Sequence, residues 1–160
     1  MSMPTYLDGL REAYEGEIEG EAVYRRLSEL SEDSDQRKKL ATIADVEQRT
    51  HRILHAAASR LGIEPAVERI AAKAARRSKE LSRLAWPEFI AKATVDWPPY
   101  IERFEAVERM APVVDALAAR RLVEHERALV AFVRLEHQHS HESLWPLQDF
   151  LASTRGEAAQ

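Results

Sequence analysis

The chain has 160 residues and a formal net charge of −4 at pH 7, with 45% hydrophobic and 31% charged residues. This composition fits one folded domain, and the negative charge gives no bulk attraction to a nucleic acid. The chain has no cysteine, which excludes disulfides and thiolate ligands and leaves histidine and carboxylates as the strong metal ligands. No apolar run reaches the roughly 20 residues of a membrane span, and no signal peptide is recognisable. We therefore expect a cytoplasmic protein with no nucleic-acid or membrane partner.

Helical spacing of apolar residues dominates the chain, and no stretch alternates like a β-strand. The spacing predicts a first helix from Pro4-Thr5 to Leu30. Residues Ser31–Asp35 form a turn rich in residues that cap helix N-termini. A second helix then runs to Leu61, where Gly62 is a natural terminator. Two long helices joined by so short a turn predict an antiparallel hairpin.

Prolines divide the middle of the chain. A basic helix is predicted over Ala66–Leu84, a short helix ends near Val95, and the motif DWPPY at Asp96–Tyr100 breaks the chain again. A further segment, IERFEAVERM, leads to Pro112.

A long last helix is predicted from Pro112 to about His141, followed by Trp145-Pro146 as its end. These elements predict an all-α fold: a ferritin-like four-helix bundle with one long crossover that contains extra short helices. Residues 1–152 form the single domain, and residues 153–160 form a flexible tail.

Carboxylates occupy the apolar face of the first helix. Glu17 and Glu21 lie four residues apart, on the face that carries Leu10, Tyr14 and Tyr24. Folding the first hairpin about its turn places Glu47 of the second helix between the levels of Glu17 and Glu21. Gly16 and Gly20 are expected either to permit close helix approach or to leave room beside this face.

Histidines accompany these acids. His51 lies four residues after Glu47 and can share one ion with it. In the last long helix, His125 lies in an apolar stripe near mid-height, and Glu105 or Glu108 of the third segment borders the same interior.

A buried group of carboxylates needs a neutralising partner. Two carboxylates about 5 Å apart repel by roughly 3 kcal/mol at an effective dielectric of 20. Protons, an internal Arg121 or metal ions would relieve this repulsion. Acids on several helices plus a histidine at mid-helix favour a pair of divalent ions. His137 and His141, near the end of the last helix, are expected to be a solvated patch.

The segment ExxGExxY, from Glu17 to Tyr24, resembles the first helix of rubrerythrin-like members of the ferritin-like superfamily, in which the glutamate after the glycine binds a di-iron centre. Glu21 matches that position. The second helix departs from the family pattern E-x-x-H, because Gln48 stands three residues before His51.

The resemblance implies a carboxylate-bridged redox protein, an oxidase or oxygenase acting on dioxygen or peroxide. Its cofactor would be two iron ions per chain, with manganese as the other candidate metal, and a separate electron donor would supply it. Glu47 or Glu21 would bridge the ions, the terminal ligands would be Glu17, His51 and His125, and Glu105 or Glu108 would close the site.

Two other functions stay open. The first is a metal-free helical scaffold or binding module with an arginine-neutralised core. The second is an oxygenase of the same fold with an organic substrate, which a lined cavity beside the carboxylates would favour. A homodimer formed through an outer helix face is also expected.

Overall fold

The computed structural model describes residues 4–158, and within this range the regular structure is helical, with no strand. The all-α prediction is therefore confirmed. In chain order the helices are α1 (Tyr6–Leu30), α2 (Ser34–Arg60), α3 (Val67–Leu81), α4 (Trp86–Asp96), α5 (Pro99–Met110), α6 (Ala116–His137) and α7 (Trp145–Ser153), with a short 3-10 turn at Val113–Asp115 before α6.

The first two helices begin and end where the sequence predicts. Thr5 caps α1 by accepting a hydrogen bond from the backbone N–H of Asp8, whose side chain accepts one from the Thr5 backbone in return, the reciprocal arrangement of a capping box. Asp33 caps α2 by accepting a hydrogen bond from the backbone N–H of Gln36. Gly62 follows α2 with a φ of +70°, a conformation that glycine adopts without strain.

The last long helix differs from its prediction at both ends. Pro112 lies before the 3-10 turn, and α6 begins only at Ala116. The helix ends at His137, not near His141, and His139 has a φ of +58°. This left-handed backbone is incompatible with a continuing α-helix.

Two tryptophan-proline pairs open helices. Trp86 begins α4 and Trp145 begins α7, each with proline in the first turn. Proline is tolerated there because the first N–H groups of a helix have no intrahelical acceptor. The prediction that Trp145-Pro146 ends the last long helix was therefore wrong, because this pair opens the nine-residue helix α7.

Four helices contact one another in a closed ring. Helix α1 packs against α2 and α5, and α6 packs against the same two helices. Helix α3 covers α1, α4 packs on α6, and α7 packs on both α2 and α6.

Two apolar clusters fill this ring. One contains Val23, Ile43 and Phe132, and the other contains Leu10, Leu54 and Leu122. On α1, α2 and α6 a buried polar layer lies between the clusters. The layer includes Glu17, Glu47, His125 and Glu126.

The segment after α7 contacts the helices. Arg49 donates hydrogen bonds to the Leu151 carbonyl and to Thr154, and Arg121 pairs with Glu157 at 2.7 Å. Thr154 and Glu157 lie within residues 153–160, the range predicted to be a flexible tail, whereas Leu151 belongs to α7. Across residues 4–158, none of the helices is both long enough and apolar enough to cross a membrane.

Candidate metal centre

Three buried side chains from three helices converge in the polar layer. Glu17 of α1, Glu47 of α2 and His125 of α6 each offer a ligand atom, and these atoms all lie within 4.8 Å of one another. The residues are 4%, 6% and 0% exposed. Buried carboxylates and an imidazole at this spacing are the ligand types that Fe, Mn and Zn ions use in proteins.

The histidine presents one ring nitrogen to the carboxylates. His125 Nδ1 lies in hydrogen-bond contact with the Leu122 carbonyl one turn earlier, and since a carbonyl can only accept, Nδ1 carries the proton in the neutral ring. Nε2 is then a lone-pair donor. Fixing the ligand tautomer through the other ring nitrogen is the usual arrangement around metal-binding histidines.

Two atoms of the centre lack hydrogen-bond partners. His125 Nε2 and Glu17 Oε2 lie 2.8 Å apart, yet neither makes a hydrogen bond of acceptable geometry within residues 4–158. Unpaired buried polar atoms are costly and therefore call for an explanation. A separation of 2.8 Å is close to the spacing of two neighbouring ligand atoms that each bind one ion at about 2.0–2.2 Å.

Glu126 is a further carboxylate beside the three. It is 6% exposed, and its Oε2 lies 3.7 Å from His125 Nε2. Sequence reasoning did not select it as a ligand, because it follows His125 directly and a helical step of 100° should turn it away from that side. The available signal was the pair of acids flanking His125. Helix α6 is packed on several sides, so His125 and the adjacent Glu126 are both buried.

Burial makes the ionised acids of this layer unfavourable. It raises the pKa of Glu17 to about 8 and that of Glu126 to about 8. The pKa of Glu47 is raised well above its ordinary value, because burial is reinforced by the charge of Glu17 and by a hydrogen bond between the two carboxyls. At neutral pH the group therefore holds protons unless a cation replaces them.

The positive charge near the centre comes from the crossover. Arg77 of α3 pairs with Glu19 at 3.1 Å and donates to the Tyr24 hydroxyl at 3.4 Å. Its charge lowers the pKa of both Glu17 and Glu126, although burial has the larger effect.

Arg121, the arginine expected to neutralise the core, lies elsewhere. It pairs with Glu124 at 2.6 Å and with Glu157, so this assignment was wrong. The physical reason is orientation, since Arg121 precedes His125 by four residues and is turned about 40° around the helix axis from it.

Three predicted ligands lie outside the group. Glu21 Oε2 lies 2.6 Å from His51 Nε2, and Gln48 donates to the other oxygen of Glu21 at 2.8 Å. Glu105 accepts a hydrogen bond from Arg127 at 3.2 Å. Glu21 is turned about 40° around the α1 axis from Glu17 and lies about 6 Å further along it, which is enough to form a separate pair with α2.

The two glycines of α1 have different surroundings. A Cβ at Gly20 would lie 2.8 Å from Glu47 Oε2, whereas a Cβ at Gly16 would have nothing within 4 Å. Gly20 thus allows α1 to approach the Glu47 carboxylate, which is the close helix approach predicted as one of the two roles of these glycines. Gly16 instead borders open space.

That open space is a cleft of about 800 Å³. Glu17, Glu47 and Glu126 form part of its lining, so the polar layer is reached from this side. Residues from α1, α2, α3, α5 and α6 contribute to its walls, together with Trp97, which directly follows α4.

Comparison of the chain with models of protein families, with curated proteins and with solved structures gave no match. A function is therefore inferred from the chain's own side chains.

Proposed function

We propose that this chain is a metal-binding redox protein that holds a divalent ion through Glu17, Glu47 and His125. Its ring of helices would be a ferritin-like four-helix bundle, with α1, α2 and α6 as three members and α4 with α5 as the fourth. The observation that carries the proposal is the pair of unpartnered buried atoms, Glu17 Oε2 and His125 Nε2, that lie 2.8 Å apart.

The surrounding chain supports this role in two ways. The Leu122 carbonyl holds His125 in the tautomer that leaves Nε2 free, and apolar clusters flank the layer above and below. A divalent ion would also replace the protons that the buried carboxyls otherwise hold. When bound, iron or manganese would supply electron-transfer chemistry toward dioxygen or peroxide.

The expectation of two ions per chain stays a prediction. The three grouped donors suit one ion, and Glu126 is the further buried carboxylate beside them. An electron donor and a homodimer also stay predictions.

Metal analysis with two histidine variants tests the proposal. Protein purified without chelators should contain at least one iron or manganese ion per chain. His125→Ala should remove it, whereas His51→Ala should retain it, because His51 pairs with Glu21 outside the group. Retention of metal by His125→Ala would contradict the assignment, and parent protein that binds none of these ions would contradict the proposed function.

A metal-free binding module is the second candidate, and Arg77 is the observation that favours it. Its charge acts on all three buried carboxylates of the layer. In that case Arg77→Met should lower the stability of the protein in the presence of a chelator. The substitution would remove the cation that compensates the buried carboxylates.

A further inference from the structure

We infer that the cleft beside the carboxylates binds an organic substrate with a ring-sized apolar body and one anionic group, and holds that body against the metal centre. This inference rests on the proposed function, because it takes the layer of Glu17, Glu47 and His125 to be the reacting centre. It goes further by assigning a substrate class to the protein.

The size and walls of the cleft fit such a molecule. Its volume of about 800 Å³ lies within the range of roughly 300–1,000 Å³ that is usual for small-molecule sites. Aromatic and apolar side chains line it next to the acids, among them Trp97, Phe104 and Leu129. Apolar walls with a few convergent polar groups are the usual composition of a ligand site.

Gly16 shows that the space is not a by-product of close helix packing. A glycine inside a helix costs about 1 kcal/mol relative to alanine. Close packing explains the glycines at positions 9 and 20, because a Cβ on either would lie 2.8 Å from a neighbouring side chain. Gly16 has no such neighbour within 4 Å, and its missing side chain instead leaves the cleft open.

The mouth of the cleft carries more cations than carboxylates. Glu19 is shared by two cations, Lys73 at 3.3 Å and Arg77 at 3.1 Å. Arg103 stacks over the Tyr100 ring at 4.9 Å from its centroid. The charged lining of the mouth comprises Arg69, Lys73, Arg77 and Arg103 against Glu12, Glu15 and Glu19.

Arg103 has the longest ion pair of these cations. Its contact with Glu12 is 3.8 Å long, and its side chain is 60% exposed. An anionic group can therefore pair with Arg103 at the mouth. Carrying the charged group into the interior would cost it its hydration, so the apolar body is the part that enters.

Anilinonaphthalene sulfonate is a suitable probe, because it joins an aromatic body to one anion. Calorimetric titration of the chelator-treated full chain should give one site. Gly16→Leu should weaken binding about tenfold or more, whereas Ala22→Leu should leave it within about twofold. Ala22 is exposed on the same helix and outside the lining. Arg103→Gln should weaken binding about threefold, and Arg127→Gln, a control at an exposed ion pair outside the lining, should not.

A second measurement avoids any folding defect of Gly16→Leu. The chain has no cysteine, so Gly16→Cys and Ala22→Cys each introduce a single thiol. The probe should slow alkylation of the thiol at position 16 and leave that at position 22 unchanged. Equal binding by the two leucine variants, equal protection of the two thiols, or no binding by the parent chain would each overturn the inference.

Cobalt separates this inference from the proposed function. Cobalt-loaded protein should change its visible absorption when the probe is added, which shows that the cleft and the metal share one space. Failure of the chain to bind cobalt, iron or manganese would sink the proposed function, while the titration and the thiol protection still decide whether the cleft binds the probe. If cobalt binds and its visible spectrum does not change when the probe binds, the inference that the apolar body lies against the metal is wrong.

Discussion

Glu17 is buried and has one carboxyl oxygen 2.8 Å from His125 Nε2. Glu17→Gln keeps the size of the side chain but removes the charge that a metal ion needs. We expect this variant to lose bound metal, and the chelated variant to melt at or above the chelated parent at pH 8 to 9, because the buried charge and its repulsion of Glu47 are gone.

Glu21→Gln is the matched control for that change. It lies on the same helix, four residues later, but its partners are His51 and Gln48. The control should retain metal and lose about 1 kcal/mol or less from its half-buried pair. Metal contents that fall equally in the two variants would show that the ligand group extends along α1.

The same carboxyls predict how stability depends on pH. The pKa of Glu17 and of Glu126 is raised from an ordinary value of 4.5 to about 8 in the folded chain. A folded state with the higher pKa binds protons more tightly than the unfolded state. The stabilisation that proton binding gives the folded state is complete below pH 4.5 and is lost as the pH rises to about 8. Within this window each group lowers the free energy of unfolding by up to about 1.4 kcal/mol per pH unit.

Chemical denaturation of chelated protein at several pH values measures this effect. The parent should be less stable at pH 8 than at pH 5.5, and Glu17→Gln should show a smaller decrease. Saturating metal should oppose the decrease, since ions compete with protons for the same oxygens. A stability that rises over this window in chelated parent would contradict the buried-proton description.

At the scale of one helix, α1 offers a paired test at Gly16 and Gly20. Gly16→Ala should stabilise the protein by up to about 1 kcal/mol, because alanine favours the helix and its Cβ meets nothing within 4 Å. Gly20→Ala gains the same helix propensity but places a Cβ 2.8 Å from Glu47 Oε2. The Glu47 carboxylate should move, so metal affinity should fall about tenfold or more.

Thermal melting and metal titration of both variants give the comparison. Equal metal affinity for the two alanine variants would show that Glu47 adapts without leaving the centre.

The sequence predicts α1 and α2 well because their signals are local. Thr5, Asp33 and Gly62 act on backbone groups within a few residues, and a helical face test finds Glu17, Glu47 and His125 on buried faces. The start of α6 and the role of Trp145-Pro146 are harder, since a proline marks a helix start as readily as a helix end. Tertiary packing decides which of the two applies.

At the scale of the whole molecule, metal binding should raise the melting temperature. An ion at about 100 times its dissociation constant adds about 2.7 kcal/mol to the free energy of unfolding, which for a chain of this size is about 5 to 10 °C. Replacing His137 and His141 together by alanine should leave this shift unchanged, because both are exposed beyond the polar layer. Loss of the shift in that double variant would place the metal at the end of α6.

The sequence predicts the polar layer of the molecule only in part. Depth along a folded hairpin correctly brings Glu17 near Glu47, but it does not say which way Glu21 turns. Glu126, Arg77 and the cleft depend on how α3, α4 and α5 lie across the ring of helices, and no local pattern encodes that placement. The acids can be found from periodicity, whereas their cationic neighbours come from a crossover whose path is set by long-range packing.

The three tryptophans occupy very different surroundings. Trp97 is 8% exposed and lines the cleft, Trp86 donates from its indole nitrogen to Glu136, and Trp145 is 66% exposed. The ultraviolet emission of the chain should therefore combine a short-wavelength part from Trp97 with a long-wavelength part from Trp145. A paramagnetic ion or a light-absorbing molecule near the carboxylates would quench the first part and spare the second, so the natural chain carries its own optical reporter of what enters it.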